Sequence, residues 1–420
     1  MYRIYLKQAL QTLKQNPFIS IISILGTALA IMMIMTVIVT GEIQNASFAP
    51  EINRDRTLYL HTFTTWDTIT NIQNSNSTGI PYSFCKNYIL PIKTPELIVE
   101  TDLCQTIVKP EGSNDIHLLE ALGTDADFWK LYSFTFVQGK PYSQEEFESG
   151  LRAAVLRERT ARMLFKDENP IGKSMEVNFL PYRIVGVVKE ISPLAKESNA
   201  AFWIPYTSLP QYENDIFRIM LLARDKSDFP KIKQEIADVE RKYTLANPPL
   251  VLDLNGPLEH RHELLNPGYP HKTHTEHAIR VHKRKTVLLF SLLLLVPALN
   301  LSGFSLSRLR KRLDEIGIRK AFGARRHVIL IHVLFENLIT TLIGGVIGLL
   351  FSYLAIFSLR RWLLEISADG TIPGQVLVSL PVFLAVFAAC LLLNLFSAGI
   401  PAYRVARMPI VDSLMQNDKK

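Results

Sequence analysis

The sequence predicts a membrane protein in which four transmembrane α-helices carry a large mixed α/β domain, inserted between the first and second helices on the outer side of the membrane. Two observations favour this fold class. Residues 18–40, 286–306, 328–357 and 377–400 are apolar over about the ~20 residues that a helix needs to cross a bilayer. The composition, with 48% hydrophobic and 20% charged residues, is intermediate between soluble and membrane proteins.

The first apolar span is predicted to be an uncleaved anchor. Three basic residues, Arg3, Lys7 and Lys14, precede it as they would in a signal peptide. The apolar core is long, however, and no small-residue cleavage site of the A-x-A type follows it. Residues 1–17 are therefore assigned as a cytosolic N-terminus.

Charge counts predict the orientation in the membrane. Residues 1–17 carry three basic and no acidic residues, residues 308–327 eight and two, and residues 401–420 four and two. Because basic flanks stay on the cytosolic side, both termini and the loop at 307–327 are assigned to the cytosol. The net charge of +7 thus reflects topology, and nucleic-acid binding is not expected.

The long outer segment, residues 41–285, is predicted to be a packed α/β domain. Residues 153–156 and 182–189 are rich in Val, Ile and Tyr and predict strands. Residues 157–166 place apolar side chains on one face and predict a helix. A second outer segment, residues 358–376, is a short loop between the third and fourth spans.

The cytosolic loop at 307–327 is both basic and amphipathic. Leu309, Leu313 and Ile316 follow an i, i+4, i+7 spacing, and an apolar pattern resumes after Gly317, which predicts two short helices joined at that glycine. An ordinary stop-transfer charge cluster would have the same composition. The order of the residues, however, favours a loop with a specific function over a simple charge cluster.

Residues 314–324 read DEIGIRKAFGA, and the tail at 401–414 reads PAYRVARMPIVDSL. Both resemble the MacB/FtsX family of ABC transporter permeases, whose loop is approximately RE-x-G-(I/L)-R-(K/R)-A-(L/I)-G-A. Asp314 stands where the family has Arg, and Phe322 where it has Leu or Ile. The layout of the four spans is also similar to that of this family. Passages within residues 125–192 resemble the MacB-type periplasmic core domain.

The resemblance implies a location in a bacterial inner membrane, with residues 41–285 in the periplasm, and it also implies a mechanism and its partners. A subdomain would be inserted near residues 117–210, and residues 286–410 would form the FtsX-like permease domain. In this family a dimer of ABC ATPase subunits binds ATP and Mg²⁺, moves the cytosolic loop and thereby moves the periplasmic domains, which is called mechanotransmission. The expected contacts with the ATPase are Glu315, Gly317, Ile318, Arg319, Lys320, Ala321, Gly323 and Ala324.

The same resemblance implies further partners. The chain would pair with a second copy or with a paralogous permease, amid membrane lipids. A periplasmic adaptor and an outer-membrane channel are additional partners that the resemblance allows. The substrate would be exported after it has reached the periplasm.

One short sequence, Gly172-Lys173-Ser174, suggests nucleotide binding. A phosphate-binding loop of the form G-x-x-x-x-G-K-(S/T) needs its first glycine for a tight turn, and Asp167 occupies that position. We therefore expect a turn in a β-rich unit and no cofactor bound by this chain. No nucleophilic constellation is recognisable either, so the chain is predicted to be a non-catalytic subunit.

Two features lie in the third apolar span. Glu336 is its only acidic residue, and an intramembrane carboxylate is costly unless it has a polar partner or a role. The family often has an acidic residue here, which implies a coupling contact; the alternative is a carboxylate that snorkels to the inner interface. Gly344, Gly345 and Gly348 form a small-residue face suited to close helix packing.

Cysteine and histidine leave alternatives open. Cys85 and Cys104 both fall in the periplasmic segment, where an oxidising compartment permits a disulfide, but geometry decides whether it forms. Six of the ten histidines lie between His260 and His282, including His271, His274 and His277. They are interpreted as part of a solvated juxtamembrane segment, with a metal or pH-sensing site as the alternative.

Two other functional classes remain open. An FtsX-like or lipoprotein-releasing complex would use the same motion to regulate cell-wall hydrolases or to extract lipoproteins. It would bind an amidase or an amidase activator in the first case. A free-standing membrane receptor would need no ATPase, and the presence of an ATPase reading frame beside this one would exclude it.

Overall fold

In a computed structural model of the protein, two compact units are distinguished. The first comprises residues 1–44, 284–366 and 374–420, and the second comprises residues 45–283 and 367–373. The structure describes residues 11, 13–15, 17–76, 79–112, 115–166, 168–264, 276–289, 291–292, 295, 326–359, 363–364, 383–388, 391–392 and 403.

The helices, in chain order, are α1 (Pro17–Asn45), α2 (Tyr82–Phe84), α3 (Phe128–Leu131), α4 (Gln144–Glu148), α5 (Glu158–Phe165), α6 (Phe229–Ala246), α7 (His260–Glu263) and α8 (Arg326–Ser358). The strands are β1 (Thr57–Leu60), β2 (Phe63–Asp67), β3 (Gln73–Asn76), β4 (Ile80–Pro81), β5 (Leu97–Pro110), β6 (His117–Thr124), β7 (Phe136–Gly139), β8 (Ala153–Arg157), β9 (Ser174–Val177), β10 (Leu180–Val188), β11 (Phe202–Pro205), β12 (Ile216–Leu222), β13 (Leu250–Asp253) and β14 (Leu258–Glu259). Residues 276–289 are also helical.

The first unit contains two helices that are long and apolar enough to cross a membrane. Among the described residues these are Ser20–Asn45 within α1 and Asn337–Ser358 within α8. At ~1.5 Å per residue, each covers the ~30 Å of a bilayer core. The predicted spans at 286–306 and 377–400 lie largely outside the described residues, so the four-helix topology stays a prediction.

The second unit, which we call the ectodomain, is built on an eleven-stranded mixed sheet. The strand order is β14-β1-β12-β5-β6-β11-β8-β10-β7, with β4 paired to β12 and β9 paired to β10 and β5. The long β5–β6 pair is antiparallel, whereas β8 and β10 are parallel. Beyond β6 lie β11, β8, β10 and β7, which belong to residues 117–210, and beyond β5 lie β12, β1 and β14, which precede or follow that segment. Strand β9 departs from this division, because it lies within residues 117–210 and pairs with both β10 and the end of β5.

A second sheet of three strands, in the order β13-β2-β3, packs beside helix α6. Helix α6 has its apolar side chains at a helical spacing, which puts Phe229, Ile232, Ile236 and Val239 on one buried face. The local elements predicted at 153–156, 157–166 and 182–189 are confirmed as β8, α5 and β10.

The ectodomain core consists of apolar clusters on both faces of the large sheet. Along β12, Ile219 and Leu221 join one cluster, while Met220 and Leu222 join another. Successive side chains of a strand point to opposite faces, so this alternation shows that both faces are covered. Each fully buried large apolar side chain contributes roughly 1.5–3 kcal/mol. The sheet is therefore a rigid support for the polar residues described next.

Candidate functional site

The residues that follow helix α1 contain a fully buried ion pair. Glu51 and Arg54 are three positions apart, and Arg54 Nε donates a hydrogen bond to Glu51 Oε2 over 2.6 Å. Their side chains are 0% and 1% exposed, respectively. Charges that have lost their water are tolerated only when their remaining donors and acceptors are also matched.

Arg54 has further partners on both sides of its guanidinium. Arg54 Nη1 donates to the Ala46 carbonyl over 2.9 Å, and Nη2 donates to the Leu194 carbonyl. The guanidinium carbon lies 4.3 Å from the centroid of the Phe48 ring, within the range of a cation–π contact. Ala46 is the first residue after helix α1, so the backbone that leaves this helix is at once hydrogen-bonded to an ectodomain side chain.

The second oxygen of Glu51 is equally well matched. Glu51 Oε1 accepts hydrogen bonds from the Glu197 amide over 3.0 Å, and from the Ser198 amide and hydroxyl over 2.9 Å each. Glu197 and Ser198 belong to the loop between β10 and β11. The ion pair therefore fastens the chain that follows α1 to this loop.

His61 lies between two carboxylates near the same loop. Its Nδ1 is 3.0 Å from Glu263 Oε1, and its Nε2 is 3.7 Å from Glu197 Oε2. Burial alone would lower the pKa of His61, but the charges of Glu197 and Glu263 and the hydrogen bond to Glu263 outweigh burial and raise the pKa above its ordinary value.

Six residues thus form one connected polar cluster, which we call the polar junction. It joins the segment after α1, the end of β1, the β10–β11 loop and helix α7. Its members are Glu51, Arg54, His61, Glu197, Ser198 and Glu263.

Within the first unit, helix α8 packs against helix α1 through small residues. A Cβ atom added at Gly344 would lie 2.9 Å from Thr27 Cβ, and one added at Gly348 would lie 2.6 Å from the Ala28 carbonyl oxygen. A Cβ at Gly345 would lie 2.8 Å from Phe387 Cε2. These glycines sit where neighbouring atoms leave no space for a side chain.

The residues predicted to contact an ATPase, Glu315 to Ala324, lie outside the described residues. Their role stays a prediction. Glu336 lies within helix α8.

The two periplasmic cysteines are free thiols. Cys85 Sγ lies 3.7 Å from the Ile80 carbonyl, and Cys104 Sγ lies 3.8 Å from the Ala121 carbonyl. Cys85 belongs to the cluster around α6, whereas Cys104 packs against the cluster around β10. The disulfide that the sequence permitted is therefore not formed in this structure, because the two thiols pack in different parts of the core.

The Gly172–Ser174 segment forms the expected turn before β9. Gly172 has φ +84°, its amide donates to the Ile184 carbonyl over 2.9 Å, and Lys173 pairs with Glu168. The lysine is thus held by a surface carboxylate.

The clustered histidines are distributed over several segments. His260 and His262 lie in α7 and His277 lies in the helical residues 276–289, while His271 and His274 fall outside the described residues. In the part of the chain that the structure describes, no group of three or more His, Cys, Asp or Glu side chains is arranged to hold a metal ion.

Sequence analysis did not identify the polar junction. One signal was available: Glu51 and Arg54 form an i, i+3 pair of opposite charge shortly after an apolar span. The contribution of His61, Glu197 and Glu263 depends on contacts between residues more than 60 positions apart, which no local pattern contains.

Two other buried carboxylates were missed for the same reason. Asp125 accepts hydrogen bonds from the Glu100 and Phe128 amides, and Glu100 accepts one from the Tyr206 hydroxyl over 2.6 Å. Burial raises the pKa of both carboxyl groups. Unlike Glu51, neither forms an ion pair with a basic side chain of the described residues, and the raised pKa of each favours its neutral form.

Two domains of known proteins match most of this chain. Residues 20–239 match the MacB-like periplasmic core domain, and residues 287–410 match the FtsX-like permease C-terminal domain. The chain is thus a membrane permease with a periplasmic domain. Because the first match covers more than half of the chain, the chain belongs to the MacB/FtsX family of ABC transporter permeases.

Two relatives illustrate the range of similarity. The macrolide export ATP-binding/permease protein MacB of Escherichia coli K12 is 26% identical over 297 residues, which cover 70% of this chain and 43% of the relative. The uncharacterized ABC transporter permease YknZ of Bacillus subtilis is 24% identical over 239 residues, 55% of each chain. This chain therefore spans about half the length of the curated relatives it matches.

Solved structures that are similar include two ectodomains. The periplasmic region of MacB from Actinobacillus actinomycetemcomitans has a TM-score of 0.35 and 15% identity, covering 47% of this chain and 88% of the other. The extracellular domain of YknZ from Gram-positive bacteria has a TM-score of 0.36 and 12% identity, covering 46% and 100%.

Proposed function

We propose that this chain is the permease subunit of an ABC transporter and that it converts ATP hydrolysis by a separate nucleotide-binding subunit into movement of its ectodomain. Family membership supports the permease role. The name of the MacB relative combines ATP binding with a permease, whereas no phosphate-binding loop is recognisable in this sequence. ATP and Mg²⁺ would therefore be bound by a partner.

The observation that carries this proposal is the attachment of Ala46. Arg54 fixes the first residue after α1, and Glu51 fixes Arg54 to the β10–β11 loop. A displacement of α1 along its axis would pass into the ectodomain through these hydrogen bonds. A long flexible linker at this position would instead absorb the displacement.

The remaining parts of the mechanism follow from the sequence. The basic loop at 307–327 would dock on the ATPase dimer, its apolar residues filling a cleft and its charges fixing the register. Four crossings with few polar residues offer no hydrophilic path for a large substrate, so the work would be done on a substrate already in the periplasm. The transporter would contain two permease chains, identical or paralogous, and its task would be efflux or export.

The test uses full-length tagged chain purified in detergent from cells that express it with candidate ABC ATPases. Mass spectrometry of the co-purifying proteins should find an ATPase subunit. The Glu315→Arg and Gly317→Pro variants should lose it, because one reverses a charge in the docking loop and the other stiffens its bend. The matched control is Glu145→Arg, a charge reversal at an exposed position of helix α4.

Hydrogen exchange on the same complex tests the transmission step. A non-hydrolysable ATP analogue should change the exchange of residues 46–54 in the wild-type complex. The change should be absent when the analogue is added to the permease alone. The proposal fails if no ATPase co-purifies, if both docking-loop variants retain it, or if the analogue leaves residues 46–54 unaffected.

A further inference from the structure

His61 is placed so that its two ring nitrogens face two different carboxylates. Nδ1 lies 3.0 Å from Glu263 Oε1, and Nε2 lies 3.7 Å from Glu197 Oε2. The imidazole is 9% exposed, and the two carboxylate side chains are 14% and 12% exposed. Water therefore has little access to this group of three.

The arrangement suits an imidazolium better than a neutral imidazole. A neutral ring has one N–H, which serves Glu263, and its second nitrogen would then present a lone pair to the Glu197 carboxylate. Within the described residues, Nε2 makes no hydrogen bond, although it is buried. Protonation turns that nitrogen into a donor directed at a negative charge and creates an attraction on both sides of the ring.

Charged groups from several elements act on the protonation of His61. Glu197 and Glu263 favour the protonated ring, and Arg218 on β12, 3.9 Å from Glu197 Oε2, opposes it. Tyr59 on β1 contacts the His61 ring edge-on at 6.0 Å and also contacts His260 of α7 at 5.6 Å. Beyond Tyr59, Glu51 and Arg54 compensate each other as an ion pair. The two carboxylates on His61 are thus balanced only in part by Arg218.

The two carboxylates belong to different functional parts of the chain. The Glu197 amide is hydrogen-bonded to Glu51, so this residue is part of the attachment of the segment after α1. Glu263 is the last residue of α7, which in sequence precedes the second predicted span. A charged His61 therefore joins the attachment of the segment after α1 to helix α7.

We propose that protonation of His61 closes a lock between helix α7 and the β10–β11 loop, and that loss of this proton releases α7. The ectodomain would then respond to periplasmic acidity, with the β10–β11 loop and helix α7 tied together at low pH and independent at high pH. The use of this lock in transport rests on the proposed function. The lock itself is tested without an ATPase.

The experiment follows hydrogen exchange of the full-length chain in detergent at about pH 5 and about pH 8, the range over which histidine titrates. After correction for intrinsic exchange, peptides that contain residues 258–264 should be protected severalfold more at the lower pH, because the charged ring then attracts carboxylates on both sides. His61→Gln should remove this difference, because glutamine retains a donor and carries no charge.

His262→Gln is the matched control, since His262 lies one residue from Glu263 in the same helix and is not among the described residues that contact His61. It should retain the full pH dependence. The proposal is overturned if wild-type protection does not change with pH, or if His61→Gln changes as the wild type does.

A second variant keeps the proposal testable if His61→Gln does not fold. Glu263→Gln keeps the histidine and a hydrogen-bond acceptor but removes one negative charge, so the pH at which protection is lost should move downward. An unchanged midpoint would contradict the lock. If the pH-dependent protection is found but no ATPase associates, the proposed function fails and the lock stands. If an ATPase associates but protection does not depend on pH, the lock fails and the proposed function stands.

Discussion

Helices α1 and α8 in the first unit and the polar junction in the ectodomain are both buried contacts, but they are built in opposite ways. At the helix contact, Gly344 and Gly348 remove side chains so that backbones approach closely. At the polar junction, Glu51 and Arg54 bring full charges into the interior and match them with hydrogen bonds. The first contact depends on shape, and the second depends on complete pairing. Each should fail in its own way.

The largest effect is expected when one charge of the junction is removed. Glu51→Ala leaves Arg54 without its counter-ion and leaves the Glu197 and Ser198 amides without their acceptor. Breaking a buried ion pair in this way costs roughly 3–5 kcal/mol. Denaturant unfolding of the full-length chain should therefore show a large drop in the midpoint.

The control for this prediction is Glu158→Ala, which breaks the pair between Glu158 and Arg162 on the surface of α5. Exposed ion pairs contribute about 0–1 kcal/mol, so its unfolding curve should be close to that of the wild type. Similar losses in the two variants would show that burial does not distinguish these pairs, and the comparison would then be wrong.

A smaller effect is expected at the helix contact. Gly348→Ala places a methyl group 2.6 Å from the Ala28 carbonyl oxygen, which is backbone and has little freedom to move. Overpacking of this kind costs roughly 1–3 kcal/mol, so the thermal midpoint in detergent should fall. Gly41→Ala in helix α1 is the matched control, because a Cβ there meets nothing within 4 Å. Equal behaviour of the two variants would contradict the close approach at Gly348.

The two contacts also differ in how far the sequence predicts them. Two small residues four positions apart in an apolar helix, such as Gly344 and Gly348, are visible locally, since a helix turn brings them to one face. The strands β8 and β10 were predicted from their local content of Val, Ile and Tyr, and helix α5 was predicted from apolar side chains on one helical face. No local pattern of this kind marks the pairing of Glu51 with Ser198. This contact forms because the order of strands in the sheet places the β10–β11 loop beside the segment after α1, and that order cannot be read from neighbouring residues.

The smallest effect is expected at Asp102, a partly buried carboxylate that is not paired as Glu51 is. Asp102 lines a cavity of about 260 Å³ on the ectodomain, together with Asp215. Burial raises the pKa of Asp102 to about 6, the negative charge of Asp215 adds to the effect, and Arg218 opposes it. The folded state therefore binds this proton more tightly than the unfolded chain does. Stability falls as the pH rises from about 4 to about 6 and is not regained above that range.

Asp102→Asn should remove this loss. Unfolding at about pH 8 should show the variant more stable than the wild type by roughly 1–2 kcal/mol, a figure reduced for the partial exposure of the carboxyl group, and the difference should vanish below about pH 4. Asp55→Asn, at an exposed aspartate 3.7 Å from Lys226, is the control and should change little at either pH. Glu51 is more deeply buried than Asp102, but Arg54 and three further donors pair with it. If Asp102→Asn stabilises the protein and Glu51→Ala destabilises it, pairing and not burial decides whether a carboxylate stabilises this domain. A wild type more stable than Asp102→Asn at about pH 8 would reverse that conclusion.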